Sequence, residues 1–128
     1  MRLLVIDDDP LVGTLARRIA EKCGYEVRTT TEAEAFKAQC IEFRPDVISL
    51  DLSIPECDGI ELLRYLADIG CRAQILIASG FDTKVLRSAN ELGAARGLAM
   101  AGMIAKPMRA AEVRAMLESV RDGLSLPH

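Results

Sequence analysis

The sequence predicts an α/β protein: a doubly wound (βα)5 fold, in which a five-stranded parallel sheet carries helices on both faces. Three observations predict it. Five short apolar runs recur along the chain: LLVI (3–6), YEVRT (25–29), DVISL (46–50), QILIA (74–78) and AGMIA (101–105). Each is followed by a stretch with helical capping and spacing signals, and strict alternation of strand and helix implies parallel strands joined by right-handed crossovers. Four of the runs are almost wholly apolar, as strands covered on both faces are. YEVRT mixes polar and apolar residues and belongs at an edge.

The helices follow in order. Asp9 then Pro10 reads as an N-cap followed by proline at the first helical position, with Leu11, Leu15 and Ile19 on one stripe and Gly24 at the left-handed stop. Thr31 with Glu34 reads as a capping box ahead of Phe36, Cys40 and Phe43. Asp58 with Glu61 is a second box, opening a helix that faces Leu62, Leu66 and Ile69 inward until Gly70. Asp82 or Thr83 starts a fourth helix with Val85, Ala89 and Leu92 on its stripe. A fifth carries Val113, Met116, Leu117 and Val120 and ends near Gly123.

The 128 residues suit one domain, expected over 1–122 with 123–128 as a C-terminal tail. With 50% hydrophobic and 27% charged residues the chain has the composition of a folded domain rather than a disordered one. A net charge of −3 and the absence of any Lys/Arg run offer no general attraction to nucleic acid or an anionic membrane. The longest apolar stretch, GLAMAGMIA (97–105), falls well short of the ~20 residues that span a bilayer. MRLLVIDDDP reaches acidic residues too early for a signal peptide. Cys23, Cys40, Cys57 and Cys71 contain no C-x-x-C pair and read as reduced packing residues. The only histidine, His128, is the last residue, which removes histidine-based triads and most transition-metal sites. A cytoplasmic domain is expected.

In doubly wound sheets ligands bind outside the carboxyl ends of the strands. The first strand delivers Asp7 and Asp8 there, the third Asp51, the fourth Ser79, and the fifth Lys106 followed by Pro107. The first of these ends, VIDDDP (5–10), crowds carboxylates, and two unit charges ~4 Å apart repel by about 4 kcal/mol at an effective dielectric near 20. Such groups take up protons or hold a cation. Asp9, next to Pro10, reads as the helix cap. No G-x-G-x-x-G exists, and Gly97 and Gly102 have P-loop spacing with Met103 where lysine is required. Carboxylates with a lysine and no histidine suit a hard, oxygen-ligated cation, Mg²⁺ or Mn²⁺. The hydroxyl and ammonium would hold phosphoryl oxygens, a set suited to phosphoryl transfer.

From Met1 to about Asp122 the sequence resembles the receiver domains of bacterial two-component response regulators, the chemotaxis receiver included. IDDDP (6–10), LDLSIPECDG (50–59), ASG (78–80) and KP (106–107) carry the resemblance, in order. It implies a flavodoxin-like strand order, 2-1-3-4-5. It also implies that Asp51 accepts a phosphoryl group from a phosphohistidine of a sensor histidine kinase or a histidine phosphotransfer protein. Asp8 and Asp51 would ligate Mg²⁺ directly and Asp7 through water, with the backbone carbonyl of Ser53 completing the protein's share. Lys106 would pair with Asp51 and then with the phosphoryl oxygens, and Ser79 would move to the phosphoryl group. The Lys106–Pro107 bond would be cis. The face made by the fourth helix, fifth strand and fifth helix would switch.

Three departures from the family pattern stand out. Met103 occupies the position three before the lysine, where an aromatic is usual, so a softer switch is expected at Ser79 and Met103. The Ser79–Lys106 segment is about five residues longer than usual, which should lengthen the fourth helix or its exit loop. VLRSANELGAARGLAMAGMIAKP is similar to receivers joined to cyclic-dinucleotide phosphodiesterase domains, one candidate output partner. Ser53 and Phe81, two residues beyond Asp51 and Ser79, offer little to orient an attacking water, so slow self-dephosphorylation is expected. Two other readings compete: a receiver-like interaction module that carries no phosphate, and an aspartyl-phosphate phosphatase or transferase. The latter typically has a second aspartate two after its nucleophile, where this chain has Ser53.

Overall fold

Strands and helices alternate without exception along the described residues, 1–53, 59–80 and 83–125 (side chains to residue 123), of the structure, a computed structural model. In chain order they are β1 (Arg2–Ile6), α1 (Pro10–Lys22), β2 (Glu26–Thr30), α2 (Ala33–Glu42), β3 (Val47–Asp51), α3 (Gly59–Asp68), β4 (Gln74–Ser79), α4 (Thr83–Ala95), β5 (Ala99–Ala105) and α5 (Ala110–Ser125). The five strands form one parallel sheet in the order β2-β1-β3-β4-β5, with the polar YEVRT segment at one edge.

Alternate residues of each strand feed two cores. Leu4, Ile6, Ile48, Leu50, Ile75 and Ile77 pack against Phe36 of α2, Leu62 and Leu66 of α3, and Leu86 of α4. Leu3, Val5, Val47, Leu76 and Ile104 pack on the opposite face against Ala16 and Ala20 of α1 and Val113 and Leu117 of α5. The Tyr25 hydroxyl donates to the Leu117 carbonyl at 2.7 Å, tying α5 to the entry of β2.

Asp9 caps α1 as expected, its Oδ1 accepting from the Leu11 N–H at 2.9 Å. The helix closes in a Schellman motif: Gly24, at φ +90°, donates to the Glu21 carbonyl and Tyr25 to that of Ala20. Gly70 and Cys71 close α3 the same way on Ala67 and Leu66.

Several phases differ from the sequence expectation. Helix α1 buries Gly13, Ala16 and Ala20, and leaves Leu11 79% and Leu15 40% exposed. Small residues face inward because this helix lies close on the sheet; a Cβ on Gly13 would stand 3.6 Å from the Thr29 Cβ. Thr31 does not cap α2. Glu32 holds the N-cap position without a side-chain bond, and its N–H donates instead to Thr30 Oγ1 at 3.2 Å. Ile69 turns outward while Leu63 joins Leu62 and Leu66 inside. On α4 the buried stripe is Leu86, Ala89 and Gly93, with Val85 exposed. Helix α5 continues past Gly123 to Ser125. The expected caps Asp58 and Asp82 lie outside the described residues, as does Cys57.

The surplus between Ser79 and Lys106 is not a long exit loop. Helix α4 has 13 residues, only Arg96, Gly97 and Leu98 follow it, and β5 takes seven. The register steps from Ile75↔Met100 to Leu76↔Gly102, so Ala101 is a bulge that absorbs one residue within the strand.

Candidate functional site

Strand register brings the predicted residues together. Ile6 pairs with Leu50, so Asp7 and Asp51 leave adjacent strands side by side at the point where the strand order reverses. Asp51 pairs with Ala78, and Ser79 with Ala105, which sets Lys106 at the same edge. The Lys106 N–H donates to the Ser79 carbonyl at 3.0 Å, and the Lys106–Pro107 bond that follows is cis.

Asp7 and Asp51 are 2% and 1% exposed, whereas Asp8 faces solvent. One carboxylate oxygen from each of the three lies within 4.8 Å of the others. The Asp7 N–H donates to the Thr30 carbonyl of β2, and its Oδ1 accepts from the Asp9 N–H at 3.0 Å. Asp9 therefore does two jobs, capping α1 and holding the Asp7 carboxylate. Asp51 Oδ1 accepts from the Ser53 N–H at 2.9 Å, and its Oδ2 from Lys106 Nζ at 3.0 Å.

Lys106 Nζ also stands 2.8 Å from Asp7 Oδ2, a partner that the sequence reading did not include. Asp7 Oδ2 is thus ion-paired by Lys106, and no other donor among the described residues reaches it. The contact follows from the strand order and the registers from β1 through β3 and β4 to β5; the spacing of the two residues in the sequence carries no trace of it.

Burial raises the Asp7 carboxyl above its ordinary value; the Lys106 contact and the Asp9 N–H oppose the shift, and the nearby Asp51 charge adds to it. Burial also works against the charge on Lys106, but its contacts with Asp7 and Asp51 outweigh that, and its value is raised. One ammonium therefore serves two buried carboxylates. A site with three convergent carboxylate oxygens, two of them on buried aspartates that share a single ammonium, fits a hard divalent cation.

Ser79 is fully buried at the end of β4. Met103 is 38% exposed and lines a cavity of about 240 Å³ with Thr83, Leu86, Arg87, Ala105 and Glu112, between α4, β5 and α5. Phe81 lies outside the described residues. Ser53 Oγ is buried and has no hydrogen-bond partner among the described residues. Beneath the site, Gly59 opens α3 so close to Leu52 that a Cβ would stand 2.6 Å from the Leu52 Cα. The sequence reading assigned Gly59 no such role.

A doubly wound parallel sheet with acidic residues from two strand ends facing a lysine from a third defines a class of domain built to hold a cation beside a carboxylate. The chain belongs to the response regulator receiver domain family, whose model matches residues 3–118. It is 33% identical over 124 residues, 95% of its length, to a protein-glutamate methylesterase/protein-glutamine glutaminase from Koribacter versatilis, and spans 32% of that protein. Among solved structures it is similar to a response regulator from Colwellia psychrerythraea at 32% identity and a TM-score of 0.83, covering 95% of this chain and 97% of that one. A Burkholderia pseudomallei response regulator solved with a phosphorylated aspartic acid, a calcium ion and citrate is 25% identical, with a TM-score of 0.73, covering 97% of this chain and 71% of that one. No described helix is long and apolar enough to cross a membrane.

Proposed function

We propose that this receiver domain is a phosphoacceptor switch in which Asp51 takes a phosphoryl group from a phosphohistidine of a histidine kinase or phosphotransfer protein. The observation that carries the reading is the position of Asp51: its two oxygens are engaged by Lys106 and the Ser53 N–H, beside Asp7 and Asp8. The phosphorylated aspartic acid and cation of the Burkholderia pseudomallei regulator support it.

In the step proposed, an Asp51 oxygen attacks phosphorus, the new P–O bond forms as the donor's P–N bond breaks, and the imidazole leaves with the electron pair. Asp8 and Asp51 would hold Mg²⁺ directly and Asp7 through water, with the Ser53 carbonyl. The ion supplies positive charge against the carboxylates and the incoming phosphoryl oxygens. Lys106 gives up its contact with Asp51 for a phosphoryl oxygen, and the Ser79 hydroxyl donates to another. That movement is transmitted to the face of α4, β5 and α5, where Met103 lies. The domain acts as a switch rather than a turnover enzyme.

Acetyl phosphate with Mg²⁺ tests the reading. Intact mass should rise by one phosphoryl group in the wild type and remain unchanged in Asp51→Asn or with a chelator present. A protein whose mass never changes would instead be an interaction module that carries no phosphate.

A further inference from the structure

Two free cysteines lie at the end of the sheet opposite Asp51 and take no part in the phosphoryl chemistry. A cavity of about 520 Å³ opens between the C-terminal ends of α2 and α3. Cys40, in the last turn of α2, and Cys71, directly after Gly70, both line it, along with Arg44, Asp46 and Arg72. Both cysteines are free thiols, both are partly buried, and both pack on the same core cluster. Burial pushes the Cys40 thiol up to about 12, and Cys71 adds to the shift.

We propose that Cys40 and Cys71 are an oxidisable dithiol that closes to a disulfide under peroxide, tying the end of α2 to the turn between α3 and β4. Neither cysteine is needed at the strand ends where Asp51 sits. The cavity that both residues line gives a small oxidant a route to both sulfurs.

In the step proposed, the Cys71 sulfur loses its proton and attacks peroxide, an S–O bond forms as the O–O bond breaks, and the departing hydroxide takes up that proton to become water. The Cys40 sulfur then attacks the sulfenic sulfur, the S–S bond forms as the S–O bond breaks, and a second water departs with the Cys40 proton. Two thiols and one hydrogen peroxide become one disulfide and two waters.

The test treats the full chain with hydrogen peroxide under non-reducing conditions and maps the peptides by mass spectrometry. A loss of two thiols per chain is expected, with one intramolecular Cys40–Cys71 crosslink that dithiothreitol reverses. Cys40→Ala and Cys71→Ala should each abolish the crosslink, while Cys23→Ala leaves it intact. The unfolding midpoint of the oxidised wild type should rise and return on reduction, which a merely packing role would not produce. Crosslinks only between chains, crosslinks to Cys57, or Cys71 stopping at sulfinic acid with Cys40 still free would each overturn the proposal.

Discussion

Lys106 Nζ stands 3.0 Å from Asp51 Oδ2 while also lying 2.8 Å from Asp7 Oδ2, so the cation that pairs with the proposed phosphoacceptor also neutralises its buried acidic neighbour. The sheet register enforces this sharing, and it makes the lysine and a divalent ion competitors for the same charge. Removing the ammonium leaves two almost fully buried carboxylates facing each other. Lys106→Met should therefore destabilise the metal-free domain by roughly 3 kcal/mol, as expected when one partner of a buried pair is lost. It should also tighten Mg²⁺ binding, and added Mg²⁺ should recover much of the lost stability. Urea unfolding with and without Mg²⁺ measures both effects.

Asp7 has the opposite sign. Its carboxyl is raised above its ordinary value chiefly by burial, so its charge is disfavoured in the fold. Asp7→Asn should raise the metal-free unfolding midpoint, by an amount of order 1 kcal/mol or roughly 4 °C for a domain of this size. The same substitution should remove most of the extra stability that Mg²⁺ confers on the wild type. Paired thermal melts with Mg²⁺ and with chelator measure both.

The raised Asp7 value also sets a pH dependence. A carboxyl whose folded pKa exceeds its unfolded one binds its proton more tightly in the fold. Its contribution to stability is present at low pH and is lost as pH rises through the folded value. A proton there competes with a cation. Mg²⁺ affinity should therefore be highest near neutrality and fall as pH drops through the raised Asp7 value, by at most about tenfold per unit for one competing proton. Calorimetric titration across that range checks this, and Asp7→Asn should flatten the dependence.

Gly59 is a steric prediction with no electrostatic component. Its missing Cβ is what lets α3 begin against the Leu52 backbone, immediately after Asp51. Because backbone yields less readily than a side-chain tip, Gly59→Ala should destabilise by about 1–3 kcal/mol. It should also lower the rate of phosphoryl uptake by displacing the Asp51–Ser53 segment. Chemical denaturation and the acetyl-phosphate mass assay report the two effects separately.

Met103 would take part in the proposed switch. It is exposed and has a flexible side chain in place of a ring, so the coupling to Ser79 is expected to be loose. Relaxation dispersion on the phosphorylated domain should show residues 79–108 exchanging at differing rates. One concerted process across the segment would contradict this.

Much of the site was legible in the sequence because its residues sit at strand ends, and strands covered on both faces announce themselves as apolar runs. Asp7, Asp51, Ser79 and Lys106 follow directly from where LLVI, DVISL, QILIA and AGMIA stop. The phase of α1 was not legible. The leucine spacing 11, 15, 19 is the stronger hydrophobic signal, yet close helix–sheet approach selects the small residues Gly13, Ala16 and Ala20. The same applies to α4, where Gly93 packs inward and Val85 turns out. The α2 start was misread for a different reason: Thr30, one residue earlier than Thr31, bonds the Glu32 backbone, and two adjacent threonines cannot be ranked by sequence alone.

Borohydride trapping tests the central claim most directly. After exposure to acetyl phosphate and Mg²⁺, an acyl phosphate on Asp51 is reduced to an alcohol and the modified residue is located by peptide mass spectrometry. The proposed function predicts reduction at position 51 alone, dependent on Mg²⁺ and absent in Asp51→Asn. Reduction at Asp7 or Asp8, or no reduction in a protein that binds Mg²⁺ normally, would contradict it.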